Sequence, residues 1–586
     1  MAANPCPSME TGDVGAVTGD AGGEGGSDGA VPEVVATTTN SSASGGEAIL
    51  LQQSGTLVSL GSQVCARISP ERWCVTYQDL VDFQRIVREA VREGRVVPTA
   101  LDDFNPEDKV IGPNFYTIVD QLIKPMTAET QMSWSLGLHH EGIDCDLFIT
   151  HAWVEGVYEF IDKVLACWPK RAKGAWICTL SMPQHLDIAS LISSPVHSPF
   201  AKALMAASEI LVVPNRCSSV YTRMWCVYEA FLAQSQGKRI RTAVRSHLLN
   251  ATKAAVFTFL LFPITFALAL ALGTQKHSTE ADAASLAMWI LMALSLIIDR
   301  SALRRLVHWL GTLAAGFALG SGDLHKIHDI AYFVVAEIDR ERLAAYDEEA
   351  VNLLRSFANS VRFATCSEPS DQTAIMGEIE DDVDKVDGTI KVLIRAKAST
   401  PLWNKLAERG IDVSDAGFTE WAFPTYTVVG LIVHCYTGFV REIVWETTLK
   451  IGTAVITVLW CAVVLCLGAD RRAFCFQALQ KAMVPYFFTH AATQLVEVFL
   501  NTEEMDRIVH HVATVQRFVM LVATFLLSAI HPLLLASIPI VGPPLVELVL
   551  LRLRIRTYKL PMCGDGCRKL DIPATPPARD FLRLIV

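Results

Sequence analysis

Between positions 80 and 93 apolar residues recur three and four apart (Leu80, Phe83, Ile86, Val87, Ala90, Val91), with charges on the other face. That period predicts an amphipathic helix. A second apolar stretch, 116–124, stops at Pro125, so 49–143 reads as an α-rich lead-in. From 144 the pattern changes to short strand-like segments, mostly apolar, separated by helical periods. Runs at 146–150, 176–180, 210–213 and 239–244 predict buried strands, and 157–168, 200–208 and 221–230 predict the helices between them. Ser198 followed by Pro199 has the form of an N-cap with proline in the first helical position. This alternation over 144–248 predicts an α/β domain with a parallel sheet covered on both faces. Ligands of such sheets bind outside the carboxyl ends of the strands. His151 and residues 214–219 fall at that edge.

Farther on the apolar runs lengthen. Residues 254–272 carry no charge and are long enough to span a bilayer; 283–298 is a second, shorter run after a polar break at 274–282. Lys238, Arg239, Arg241, Arg245 and Lys253 precede the pair, and Arg300, Arg304 and Arg305 follow it. Positive charge on both outer flanks predicts a transmembrane hairpin over 253–299, with the α/β domain on the cytosolic side. Residues 306–320 form a short glycine-containing apolar run of re-entrant or interfacial type, within a cytosolic helix-rich region, 300–421. That region includes a strand-like run at 389–394. A second hairpin is expected over 422–468, amphipathic cytosolic or interfacial helices over 469–514, and an apolar segment broken by prolines over 515–551. The count is four spans, rising to six. Residues 552–586 read as a basic tail.

Composition agrees. The chain of 586 residues is 51% hydrophobic and only 19% charged, outside ordinary soluble usage. Residues 1–48 hold seven acids, ten glycines and no Lys or Arg, which predicts a disordered acidic tail without the form of a signal peptide. Without that tail the net charge of −11 falls to about −4, and no basic stripe points to nucleic acid. The fifteen cysteines show no pairing pattern, and Cys563 and Cys567 form only a lone CxxxC. No metal site is expected. Residues 382–388 resemble a calcium loop, but the glycine is one place late and no glutamate closes it. No P-loop, GxGxxG or HExxH is present.

The densest chemistry lies in 221–230, YTRMWCVYEA, where Trp225 and Glu229 are four apart and share a helix face. With DLFITHAW at 146–153 and SPFAKALMAASEILVVPN at 198–215, this stretch resembles the TIR (Toll/interleukin-1 receptor homology) family, Trp-Cys-x-x-Glu being the most specific match. It is also similar to membrane-attached TIR-like proteins of algae and other protists. The resemblance covers about a hundred residues. It implies a flavodoxin-like parallel sheet, truncated here because the chain turns to membrane after the fourth strand, or completed from 49–143. It also implies NAD+ as substrate rather than a bound cofactor, with Glu229 as the catalytic carboxylate and His151, Trp153 and Trp225 as nucleotide contacts. One carboxylate suffices in principle, because nicotinamide already leaves from a cationic nitrogen and needs no protonation. The alternative is a non-catalytic module that self-associates through TIR-type surfaces at a membrane. A transporter with an appended sensor is disfavoured by the scarcity of ionisable residues within the expected spans.

Overall fold

A computed structural model describes residues 52–53, 56–57 and 60–551, apart from 217–219, 277, 299, 355–356, 358–359, 415, 439–443 and 501–502. The expected N-terminal tail, and the basic tail with Cys563 and Cys567, lie outside the described residues.

The lead-in helix α1 (Tyr77–Arg92) starts at a capping box between Thr76 and Asp79 and buries Leu80, Phe83, Val87, Ala90 and Val91. Four parallel strands follow: β1 (Leu147–Thr150), β2 (Ala175–Ile177), β3 (Glu209–Val212) and β4 (Arg239–Thr242). Their order across the sheet is β2-β1-β3-β4. The register sets Phe148 beside both Trp176 and Ile210, and the Phe148 and Trp176 rings stack at 5.1 Å. Every residue of β1 and β2 is buried, as strands covered on both faces require. Helices α2 (Val157–Cys167), α3 (Pro199–Ala206) and α4 (Met224–Ser235) connect them. Ser198 caps α3 as its sequence predicts, accepting from Ala201 N.

The sheet is not truncated. Its fifth strand, β5 (Ala398–Ser399), comes from the far side of the first apolar helices and pairs antiparallel with β4, Ile240 opposite Ser399. The lead-in contributes to the opposite edge, where Val75 exchanges both backbone hydrogen bonds with Ala175, at 2.8 and 2.9 Å. Residues 389–394 are not a strand. They belong to a helix, Val383–Ala396, whose Val383, Val386, Ile390 and Leu393 repeat at three and four and pack into the core of the α/β domain. Lys397 closes that helix in the left-handed conformation (φ 66°), and β5 begins at the next residue. The helices Pro369–Ile379 and Val383–Ala396 both pack on α4. The domain is thus assembled from 60–248 and about 360–400, wider than the expected 144–248.

Among the described residues, three stretches are helical, long and apolar enough to cross a membrane: Leu248–Leu272, Thr279–Ile297 and His511–Ala529. The first is two helices, α5 (Leu248–Phe259) and α6 (Phe262–Leu272), with Pro263 at the start of the second. After α7 (Thr279–Ile297), α8 (Ser301–Gly320) packs along α6 and α7. The expected re-entrant run is therefore a full helix of the bundle. The next helix, α9 (Lys326–Leu354), lies against α5, α8 and the helix Ala422–Gly438. It is rich in charge, but Glu337 is buried against His308 Nδ1 (2.8 Å) and Arg340 (2.7 Å). The apolar parts of the second expected hairpin, Ala422–Val433 and Ile451–Cys466, are shorter.

A Cβ on Gly316 would stand 2.5 Å from Phe262 O, and one on Gly320 2.6 Å from Phe266 O. This small-xxx-small pair lets the α6 and α8 backbones touch. Gly316→Val is expected to cost about 1–3 kcal/mol by forcing them apart, read as a lower melting temperature of the detergent-solubilised protein. An unchanged melt would contradict the packing.

Candidate functional site

The carboxyl ends of β1, β2 and β3 bring together side chains scattered over two hundred residues. The strand order reverses between β1 and β3, which is where an open α/β sheet forms its crevice. His151 follows β1 directly and is 4% exposed. Its Nδ1 lies 2.8 Å from Glu155 Oε1, and its Nε2 lies 3.1 Å from Sγ of Cys178, the first residue after β2. Phe115 and Phe160 enclose the ring at 4.9 and 4.8 Å. Burial, reinforced by the Arg223 charge, pushes the His151 pKa down to about 3, so the imidazole is neutral. Trp153 donates its indole N–H to Cys178 Sγ (3.2 Å) and meets the exposed Tyr116 ring at 5.3 Å.

Glu229 lies on α4, 6% exposed and close enough to Thr150 to accept from its hydroxyl. Its Oε2 has no hydrogen-bonding partner among the described residues. Burial pushes its pKa up to about 8, with the Thr150 hydrogen bond and the Arg223 charge acting the other way. Arg223 is the residue before α4 and acts electrostatically on Glu229, Cys178 and His151 alike. Glu229 is therefore neither ion-paired on an open helix face nor open to a cleft; it is closed in beside β1.

Trp225 points elsewhere. Its ring stacks on Phe200 at 5.1 Å, and its Nε1 donates to Asp371 Oδ2 at 3.1 Å. The start of the same helix is pinned to the later segment, with Met224 N donating to Thr365 O (2.9 Å) and Thr365 N to Thr222 O (2.8 Å). The structure thus brings His151, Trp153 and Glu229 to one edge and leaves Trp225 on the outer side of α4.

The other half of the crevice is occupied from the bundle. Lys163 is wholly buried and donates to Pro214 O (2.7 Å) and Glu349 Oε2 (2.8 Å), and pairs with Glu159 (3.0 Å). Glu349 is in the last turns of α9 and also accepts from Asn352 (3.0 Å). Glu159 receives Arg245 at 2.7 Å. Burial would raise the Glu159 pKa, but Lys163 and Arg245 outweigh it and hold the carboxyl below its ordinary value. This ionic plug joins α9 to the loops after β3 and β4. Sequence reasoning missed Glu155, Cys178, Lys163 and Glu349. The available signal was position, since Glu155 is four residues after His151; Cys178 was hidden inside the run 176–180 read as strand, whereas the strand stops at Ile177 and Cys178–Ser181 turn into a helix. An open cleft lined by Pro401, Lys405, Asp470 and His531 touches none of these groups.

Comparison with family models, curated proteins and solved structures returns no match. The site therefore stands on its own geometry.

Proposed function

We propose that this chain is a membrane-anchored signalling protein whose TIR-like α/β domain faces the cytosol and cleaves NAD+ to nicotinamide and an ADP-ribose product. The observation that carries the reading is the place of Glu229: a buried carboxyl with a free oxygen, at the carboxyl edge of a parallel sheet and beside one arginine. The strand order supports a flavodoxin-like arrangement. The most apolar eighteen residues of 248–272, only 11% of them buried, support insertion in lipid. In the reaction Glu229 as anion stabilises the oxocarbenium-like ribose while nicotinamide departs with its bonding electrons. Arg223 would meet the pyrophosphate, and Trp153 offers an aromatic face for a ring. A cationic nicotinamide riboside beside Glu229 would restore its ionised form, so binding and activation would be coupled.

The test is nicotinamide release from NAD+ by the full chain in detergent or lipid discs. Glu229→Gln is expected to lower the rate about 10²–10³-fold, the usual loss on removing a preorganised electrostatic group. No release from the unaltered protein, dilute or crowded, would remove the enzyme reading. The second reading is a non-catalytic self-associating module. The packing of Trp225 between Phe200 and Asp371 favours it, because that ring serves structure rather than a ligand. It predicts unchanged self-association in Glu229→Gln and no nicotinamide from either form.

A further inference from the structure

Cys178, His151 and Glu155 have the mutual geometry of a nucleophile, its base and the acid that orients the base. The contacts are Sγ to Nε2, 3.1 Å, and Nδ1 to Oε1, 2.8 Å. None of the three is adjacent in sequence. They meet because β1 and β2 are neighbours in register and both end at this edge. Two further groups act on the sulfur. Trp153 donates an N–H to it, and the Arg223 guanidinium lies within electrostatic reach. Cys178 itself is partly exposed, whereas Cys226 nearby is buried.

We propose that Cys178 is a catalytic thiol that accepts an acyl group from an activated carbonyl, an ester or thioester, with His151 as its general base and Glu155 as the residue that positions His151. This goes beyond NAD+ cleavage and requires nothing of Glu229. In the first half-reaction His151 Nε2 takes the Sγ proton as sulfur attacks the acyl carbon. The carbon–oxygen or carbon–sulfur bond to the leaving group breaks, and that group departs with the electron pair and the proton from Nε2. In the second half water loses a proton to Nε2 and adds to the thioester, and Cys178 leaves as thiolate and recovers the proton. Arg223 supplies positive charge where the carbonyl oxygen becomes negative. Glu155 Oε1 accepts from Nδ1–H, which fixes the tautomer that leaves Nε2 free to take a proton. Burial pushes the thiol up to about 12 and the imidazole down to about 3. The pair therefore rests neutral, and the proton moves during attack, as in serine hydrolases, rather than beforehand.

The experiment uses the full chain in detergent with p-nitrophenyl acetate, and in a parallel arm the acetyl thioester of N-acetylcysteamine. Acetylation is mapped to individual cysteines by peptide mass. Cys366 serves as an internal reference, being partly exposed on the same domain but without a histidine partner among the described contacts. Cys178 is expected to acetylate on the order of a hundredfold faster than Cys366, the usual contribution of a positioned base. The p-nitrophenol burst, one per chain, should vanish in Cys178→Ala. His151→Gln should bring Cys178 to the rate of Cys366, and Glu155→Gln, which keeps an acceptor, should retain most of the advantage. Transfer from one donor alone identifies the acyl class used and still supports the proposal. Equal rates at Cys178 and Cys366 in the unaltered protein, or a burst that survives Cys178→Ala, would overturn it. The comparison of Cys178 with Cys366 is read on the unaltered protein and so depends on no variant's folding, and neither result depends on NAD+ being cleaved.

Discussion

Replacing Lys163 by methionine is expected to destabilise the protein by about 3–5 kcal/mol, the usual cost of leaving buried charges without their partner. The ammonium is wholly buried and serves Glu159, Glu349 and the Pro214 carbonyl together. Methionine fills similar volume, so the loss reports charge rather than a cavity. Glu159 keeps Arg245, but among the described residues Glu349 keeps only Asn352 as an amide donor. Glu349 already has its pKa raised by burial, with Lys163 pulling the other way, so removing Lys163 drives it toward the neutral acid. The double variant Lys163→Met with Glu349→Gln should be less destabilised than Lys163→Met alone, because the orphaned carboxylate is gone. Thermal melting followed by tryptophan fluorescence measures both. The variant should also expose α9 near 349–354 to protease, since this cluster ties the bundle to the crevice. A melt within a degree of the unaltered protein would show that the cluster is not the tie.

How much of this was legible in the sequence differs by element. The first three parallel strands were readable because strands buried on both faces are short apolar runs, and β4, Arg239–Thr242, because its buried and half-buried positions alternate. Ser198 and Pro199 were readable because capping is local chemistry. β5 was not, since two residues carry no pattern; its place is set by β4 and by the left-handed Lys397 before it. Residues 389–394 misled because β-branched side chains suggest a strand, whereas burial at Val386, Ile390 and Leu393 follows a helical period. α9 looked soluble because its charges were counted singly, although Glu337 and Arg340 satisfy each other inside the bundle. At the site, His151, Trp153 and Glu229 do reach one edge. Trp225 does not, because helical side chains lean toward the N-terminus and one four residues away diverges once it finds its own partner. The Cys178 contact was out of reach, since only sheet register brings the ends of β1 and β2 together.

The same register makes Glu229 a pH-dependent cost to the fold. Its pKa in the folded protein is raised to about 8, against an ordinary 4.5, and burial is the main cause. The folded state therefore holds this proton more tightly than the unfolded chain. The favourable contribution is complete below about pH 4.5, fades as pH rises, and is gone above about pH 8, once both states are ionised. Over that window stability should fall by at most 1.4 kcal/mol per pH unit, on the order of 4–5 kcal/mol in all. Glu229→Gln keeps the shape of the neutral acid and cannot ionise. It should melt with the unaltered protein near pH 4.5 and at a clearly higher temperature at pH 8. Other buried acids, Glu155 among them, titrate in both forms, so the difference between the two melting curves isolates Glu229. Parallel curves across pH 4.5–8.5 would mean that this carboxyl is hydrated in solution and ionises normally. If the curves diverge, a gain in stability at pH 8 together with lost NAD+ cleavage marks a group kept at a cost for the anion it becomes when substrate binds.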